Sequence, residues 1–314
     1  MSTLVTRPLD PQRDQAGLIA LFDQVFGGTV TPAMWYWKYV PPWAPRFYCW
    51  VALAGDQVIG YVGALPLRGQ IDGRPVPFFQ LADVMVHPAH RLQHDYFSLG
   101  TRHILEDIST SHPQHVVYGF SGHRAFRWFE RLGISGLVER AHTRYVPPGP
   151  PPTGREVQLR DWGFDAPEVD AVWRQGSGLV RTGLIRDGAY LRWRYGSHPV
   201  NGYRLVGVQR GSEPIGYLVI GTDPPGVGGR AAETPVVDLL LPPEATRPAL
   251  AALARRLGRP VMLWLPGWLA QQLPELGDGT DSGTHVYHFV KQSMVDTAHL
   301  RQHLYYTMGD VDWW

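Results

Sequence analysis

Apolar side chains along this chain follow two rhythms. In some stretches they run together and stop at turn residues, which predicts strands. In others they recur every three or four positions, which predicts helices. The strand-like runs cover residues 4–8, 47–54, 57–65, 80–88, 115–120 and 137–146. Asp14 is placed to cap a first helix, whose face carries Leu18, Leu21, Phe22, Val25 and Phe26 before Gly27-Gly28 ends it. Thr31-Pro32 opens a second helix, with the proline at its first position, and Pro41-Pro42 closes it. Gly55-Asp56 predicts a hairpin turn and Asp72-Gly73-Arg74 a further polar turn. Phe97, Thr101, Ile104, Leu105 and Ile108 mark a third helix; Phe126, Phe129 and Leu132 mark a fourth, stopped by Gly133.

The stretch 80–99 combines these signals. An apolar strand ends at His87-Pro88, a polar turn containing Arg91 follows, and a helix begins near Tyr96. A strand, a turn and a helix N-terminus in this order present backbone N–H groups to an anion, and Arg91 adds a charge. Many such connections bind nothing, so an ordinary turn is the competing reading.

The second half repeats the first. Trp37-Lys38-Tyr39 matches Trp193-Arg194-Tyr195, and Gly60-Tyr61 matches Gly216-Tyr217, both 156 residues on. Asp83 with its apolar neighbours matches Asp238 with Leu239-Leu240-Leu241, 155 residues on. A helix (247–257), a strand (261–265), a helix ended by Gly277 and a strand (285–290) follow in the same order. One α/β unit, duplicated, is the reading. Between the copies lies Pro147-Pro148-Gly149-Pro150-Pro151-Pro152, which suits a stiff exposed linker. The expected domains are therefore 1–146, a linker 147–152, and 153–292, with a C-terminal helix and aromatic tail over 293–314. Val295, His299, Leu300, His303 and Leu304 predict that helix, and the tail to Trp313-Trp314 carries enough aromatics to pack back on the body.

Composition narrows the partners. At 314 residues and 44% hydrophobic content the chain can bury two cores. A formal net charge of +1 gives no general electrostatic case for nucleic acid or an anionic membrane. Cys49 is the sole cysteine, so no intrachain disulfide forms. The first ten residues lack a signal-peptide core, and no apolar run is long enough to span a membrane. A cytoplasmic protein is the expectation; oligomeric state is not legible.

Three features resemble one family. They are the strand–turn–helix from Asp83 to Leu99, the strand Val116-Val117-Tyr118-Gly119-Phe120 followed by Ala125, Phe126, Phe129 and Leu132-Gly133, and the early Trp35-Tyr36-Trp37-Lys38-Tyr39 helix. With this order of elements the chain resembles the GNAT N-acetyltransferase superfamily, over nearly its whole length and in two tandem copies. The resemblance implies an α/β (α+β) fold with a mixed sheet in each copy. It implies transfer of an acyl group from acetyl-CoA or another acyl-CoA to an amine. The pyrophosphate would be held by Arg91 and the turn from Leu92, Gln93, His94 and Asp95 to Tyr96, with Arg124 toward the adenine-side phosphate. Backbone at Met85 or Val86 would polarise the thioester. The family's loop glycines are replaced here by His94 and Tyr96, its customary Asn falls near Gly122, and its thiolate-protonating Tyr falls at Phe129. The second copy's turn, Pro242-Pro243-Glu244-Ala245-Thr246, has no arginine or glycine and implies no CoA binding. Together with Leu191-Arg192-Trp193-Arg194-Tyr195 and His198-Pro199, the early helix is similar to a bacterial subgroup whose members are often associated with acylation of amino sugars or with surface-polysaccharide pathways.

Acyl transfer requires a base for the amine proton and a donor for the thioester oxygen. Asp83 is the candidate base, directly or through a water. Asp238 keeps the same place in the copy without a loop, so a structural role is the rival. Trp35, Tyr36 and Lys38 are candidate acceptor-site residues; the aromatics read equally as core. Arg124, Arg127 and Arg131 otherwise form a solvated helix face. His87, His90 and His94 would need one helix to share a metal, and Pro88 prevents it, so no metal is assigned. The glycines of 224–229 form a hairpin loop without a following helix. The expected function is an N-acyltransferase with a small-molecule amine acceptor, a nucleotide-linked amino sugar being one candidate. The alternative is a catalytically degenerate fold that binds a ligand or assembles. Aminoacyl transfer from charged tRNA is disfavoured by the charge balance.

Overall fold

The computed structural model describes residues 4–28, 30–91, 96–149, 157–222 and 233–311. The N-terminal half runs β1 (Leu4–Pro8), α1 (Pro11–Phe26), α2 (Pro32–Tyr39), β2 (Tyr48–Ala54), β3 (Gln57–Ile71), β4 (Arg74–Val86), α3 (Tyr96–Ser111) and β5 (Val116–Gly122). The strands lie side by side as β1-β2-β3-β4-β5. The β1–β2 and β2–β3 pairs are antiparallel, and β4–β5 is parallel with α3 as its crossover.

Asp14 does not cap α1. Asp10 does, accepting from the Gln12 and Arg13 N–H groups. Asp14 is buried and accepts both guanidinium nitrogens of Arg7 at 2.7 Å, so it ties β1 to the helix. Thr31 caps α2 as its Thr-Pro pair predicts, accepting from the Met34 N–H. β3 and β4 extend beyond their apolar runs because the Asp72-Gly73 turn, at φ +47 and +78, is the two-residue type that suits twisted strands.

α2 brings an aromatic cluster onto the sheet. Trp35 is 1% exposed, stacks on Phe47 at 4.6 Å and donates its indole N–H to the Tyr61 hydroxyl at 3.2 Å. Tyr61 in turn donates to the Cys49 sulfur at 3.1 Å. Burial pushes that thiol up to about 12, so Cys49 is an inert core group. Gly63 makes the docking possible: a Cβ there would stand 2.4 Å from the Tyr39 ring.

The C-terminal half contributes α4 (His123–Arg131), β6 (Ser135–Val146), β7 (Val157–Trp162), α5 (Glu168–Gly176), β8 (Thr182–Leu184) and α6 (Gly188–Leu191). It continues with β9 (Tyr203–Arg210), β10 (Glu213–Gly221), β11 (Thr234–Leu240), α7 (Pro243–Leu257) and β12 (Val261–Trp264). Last come α8 (Gly267–Ala270), β13 (Thr280–Phe289), α9 (Thr297–His303) and β14 (Leu304–Tyr305). The order β7-β9-β10-β11-β12 repeats β1-β2-β3-β4-β5, down to the parallel last pair crossed by a helix. The repeat is thus one of topology as well as sequence. The helix predicted to end at Gly277 is only a short turn of α8 followed by a 3-10 turn, Pro274–Leu276.

The closing strand of the first repeat departs from expectation. β6 does not flank β5; it pairs antiparallel with β12, from Val261↔Val146 to Trp264↔Thr143. By compactness the chain divides into one unit of residues 1–68, 76–119 and 289–294 and another of 69–75, 120–288 and 295–314. That division falls inside β5 rather than at the proline run, of which 150–152 lie outside the described residues. The tail packs back: residues 304–311 are all buried, and the terminal tryptophans lie outside the described residues. No described helix is long and apolar enough to cross a membrane.

Gly63→Ala forces the Tyr39 ring off its seat and should cost about 1–3 kcal/mol, read as a lower urea midpoint at unchanged slope. His288, on β13 and fully buried, bonds Thr297 at 2.8 Å, and burial lowers its pKa to about 4. Its unfolded-state value is near 6.5, so the unfolded chain takes up its proton first as pH falls. Stability is constant above pH 6.5 and falls between there and pH 4, by at most about 1.4 kcal/mol per pH unit from this group. His288→Gln should flatten that part of a Tm-against-pH curve.

Candidate functional site

The site is built where α2 meets β4. The registered β4–β5 pairs run from Phe78↔Val116 to Gln80↔Tyr118. Three residues later Asp83 takes φ +50, a left-handed conformation that non-glycine residues adopt at a cost. Two neighbours on the last turn of α2 hold it. Lys38 Nζ lies 2.6 Å from Asp83 Oδ2, and the Tyr39 hydroxyl donates to the same oxygen at 2.6 Å. The Lys38 and Asp83 side chains are 9% and 14% exposed, so the pair is largely but not wholly withdrawn from water. Burial, then the Asp83 charge, pushes the Tyr39 phenol well above its usual value, and it stays a donor.

Past Asp83, the Met85 side chain is 2% exposed and Val86 packs on Ala52 and Ile59, so these residues offer backbone rather than side chain. The strand ends where the His87 N–H donates to Ile59 O at 2.7 Å. A 3-10 turn, Pro88–His90, follows. Arg91 is exposed, and its Nε donates to Val86 O at 3.2 Å, which anchors the guanidinium at the turn. Leu92, Gln93, His94 and Asp95 lie outside the described residues, as does the Tyr96 side chain. α3 then runs sixteen residues from Tyr96.

Among the acceptor candidates, Lys38 meets Asp83, Trp35 is sealed in the core, and Tyr36 is 41% exposed at the edge of the Trp35 ring. Arg124 is exposed on α4, whose Phe129 is buried and stacks on Tyr287 at 5.4 Å. Among the described residues no group of three or more His, Cys, Asp and Glu could hold a metal. Sequence reasoning overlooked Tyr39, although the signal was present: Tyr39 and Asp83 both recur in the second copy, as Tyr195 and Asp238.

There the bond recurs too. Tyr195 donates to Asp238 Oδ2 at 2.8 Å. The cation differs: Arg186 Nε binds Asp238 Oδ1 at 3.1 Å, and its other arm binds Asp310 of the tail, with all three groups buried. Burial opposes the Arg186 charge, yet Asp238 and Asp310 hold its pKa well above the usual value. Arg194, the counterpart of Lys38, donates to the tail carbonyls of Gly309 at 2.9 Å and Val311 at 2.6 Å. Tyr305 caps Leu239 O at 2.6 Å, and Gly309 packs so tightly that a Cβ would stand 2.0 Å from the Tyr195 hydroxyl.

Comparisons with known proteins agree with this architecture. Residues 7–133 match a family model described as an acetyltransferase (GNAT) domain. No curated protein sequence matches the chain. Among solved structures, a GCN5-related N-acetyltransferase from Anabaena variabilis superposes with a TM-score of 0.70 at 15% identity, covering 93% of this chain and 73% of that one. A GCN5-related N-acetyltransferase from Kribbella flavida gives 0.65 at 19% identity, covering 92% and 71%. Saccharomyces cerevisiae N-myristoyltransferase with bound myristoyl-CoA gives 0.60 at 10% identity, covering 92% and 79%.

Arg186→Met leaves the Asp238 and Asp310 carboxylates buried without their cation. It should cost about 3–5 kcal/mol by chemical denaturation, and adding Asp238→Asn with Asp310→Asn should recover part of the loss.

Proposed function

We propose, from the match of residues 7–133 to a GNAT acetyltransferase domain model, that the protein is an acyl-CoA-dependent N-acyltransferase acting on the primary amine of a small molecule. The observation that carries the proposal is the run from the Asp83 turn through Arg91 to the start of α3. It joins a kinked strand, an anchored guanidinium and the N-terminal end of a long helix within fourteen positions. The last two suit a diphosphate.

Acyl-CoA would supply an activated thioester carbonyl. The chain's residues have the remaining tasks. Arg91 and the first amides of α3 hold phosphate charge. The β4 backbone near Met85 and Val86 is the donor for the carbonyl oxygen as it gains charge, a role backbone fills without reorganisation. Holding both reactants against one strand supplies much of the rate. The acyl group proposed is acetyl, and the acceptor class proposed is an amino sugar, including one carried on a nucleotide.

One observation favours a second reading. Phe129 occupies the place where the family commonly has a tyrosine to protonate the departing thiolate, and it is a stacked core ring with no proton to give. A fold that binds acyl-CoA or another anion without turning it over is the reading to set against catalysis.

Calorimetry with acetyl-CoA tests the proposal. Binding is expected, and Arg91→Glu should weaken it at least tenfold, about 1.4 kcal/mol. Absence of heat at millimolar acetyl-CoA would refute the acyltransferase reading.

A further inference from the structure

We propose that Asp83 is a positioning residue rather than the general base: held by Lys38 and Tyr39, it locks the left-handed turn of β4 that aims the Val84–Met85 backbone. The consequence for acyl-CoA rests on the acyltransferase reading; the lock itself does not.

The chain contains its own control. The tyrosine-to-aspartate bond is present in both repeats, at 2.6 Å and 2.8 Å. In the second, Asp238 is 0% exposed, covered by Arg186 and the tail, so it meets no substrate. A bond kept where no chemistry is possible has a structural purpose. That purpose is visible in its endpoints: it fastens the aromatic end of a helix to the fourth strand of the repeat's sheet.

Two features belong to the first repeat alone. Asp83 has φ +50, and Asp238 is not among the residues with positive φ. The cation on Asp83 is Lys38, next in sequence to Tyr39, whereas Asp238 takes Arg186 from elsewhere and Arg194 turns to the tail. In the first repeat one helix end therefore delivers two donors to one oxygen of a residue in a strained backbone conformation. Such strain persists only where the surroundings over-determine it. Oδ2 already carries both donors at 2.6 Å, so that oxygen is committed to the helix end. Removing either donor frees the carboxylate to relax toward ordinary strand geometry, and the peptide units that follow turn with it.

The test uses full-length Asp83→Asn, Asp83→Ala, Tyr39→Phe and Lys38→Met proteins. It reads hydrogen exchange of the residue 79–86 amides without ligand, and acetyl-CoA affinity by calorimetry. Asparagine keeps an acceptor for Tyr39 and tolerates left-handed backbone, but it cannot act as a base. Asp83→Asn keeps an acceptor for Tyr39 but loses the charge facing Lys38, so it should speed exchange and weaken acetyl-CoA binding clearly less than Asp83→Ala. Tyr39→Phe and Asp83→Ala should speed exchange at Val84 and Met85 and weaken acetyl-CoA binding at least tenfold, with Lys38→Met in the same direction. A base that only moves protons leaves both readouts untouched, so unchanged exchange and affinity in Tyr39→Phe and Asp83→Ala would overturn the proposal. If the wild type fails to bind acetyl-CoA, the acyltransferase reading falls, and the exchange data still decide the lock. Should Asp83→Ala not fold, Tyr39→Phe carries the test.

Discussion

A phenol donating to a carboxylate fastens a helix to a strand in each repeat, and the remaining organisation follows from how that carboxylate is neutralised. A buried aspartate is expensive unless paired. A buried tyrosine needs a partner for its hydroxyl. The pair satisfies both demands at one contact, which explains why Tyr39 and Tyr195 sit at helix ends facing the sheet, and why Gly63 gives way where the first ring must pass. One cation then pairs the carboxylate, and its source differs between the repeats.

In the second repeat the cation is Arg186, and it brings a second acid with it. Asp310 and the Thr307 capping box close over the strand, Arg194 collects two tail carbonyls, and Tyr305 covers Leu239 O. The backbone of the second repeat's strand is thus bonded within the protein, with Leu239 O taken by Tyr305. In the first repeat the cation is a lysine, a compact charge placed against Asp83 Oδ2, and the pair keeps some contact with water.

The alternation of runs and periods located the elements of the first half and those after residue 247, because strands buried on one or both faces and amphipathic helices differ in period; between 153 and 246 only the matched residues marked the second copy. The duplication was legible for the same reason: Trp-Lys-Tyr against Trp-Arg-Tyr, and the aspartate that follows, are spaced alike. Pairing between distant strands was not legible. Nothing local in residues 137–146 tells β6 to join β12 instead of flanking β5, since an exchanged strand and a closing strand have the same pattern. Asp14 misled because an acid in the first turn suits a cap and a buried pair equally, and only Arg7 across the strand decides. At the site, Lys38 and Asp83 were both legible as polar residues in apolar surroundings. That they meet, with Tyr39 on the same oxygen, depends on a helix docking angle that no period encodes.

One strand pair joins the sequences of the two repeats. β12 is only four residues long and has β11 on one side; β6, encoded with the first repeat, supplies the other side. Without β6, the N–H and C=O groups along that side of β12 would be unpaired and open to other chains. The first repeat therefore cannot lose its last strand without exposing the second, and the second cannot be deleted without stripping β6 of its partner.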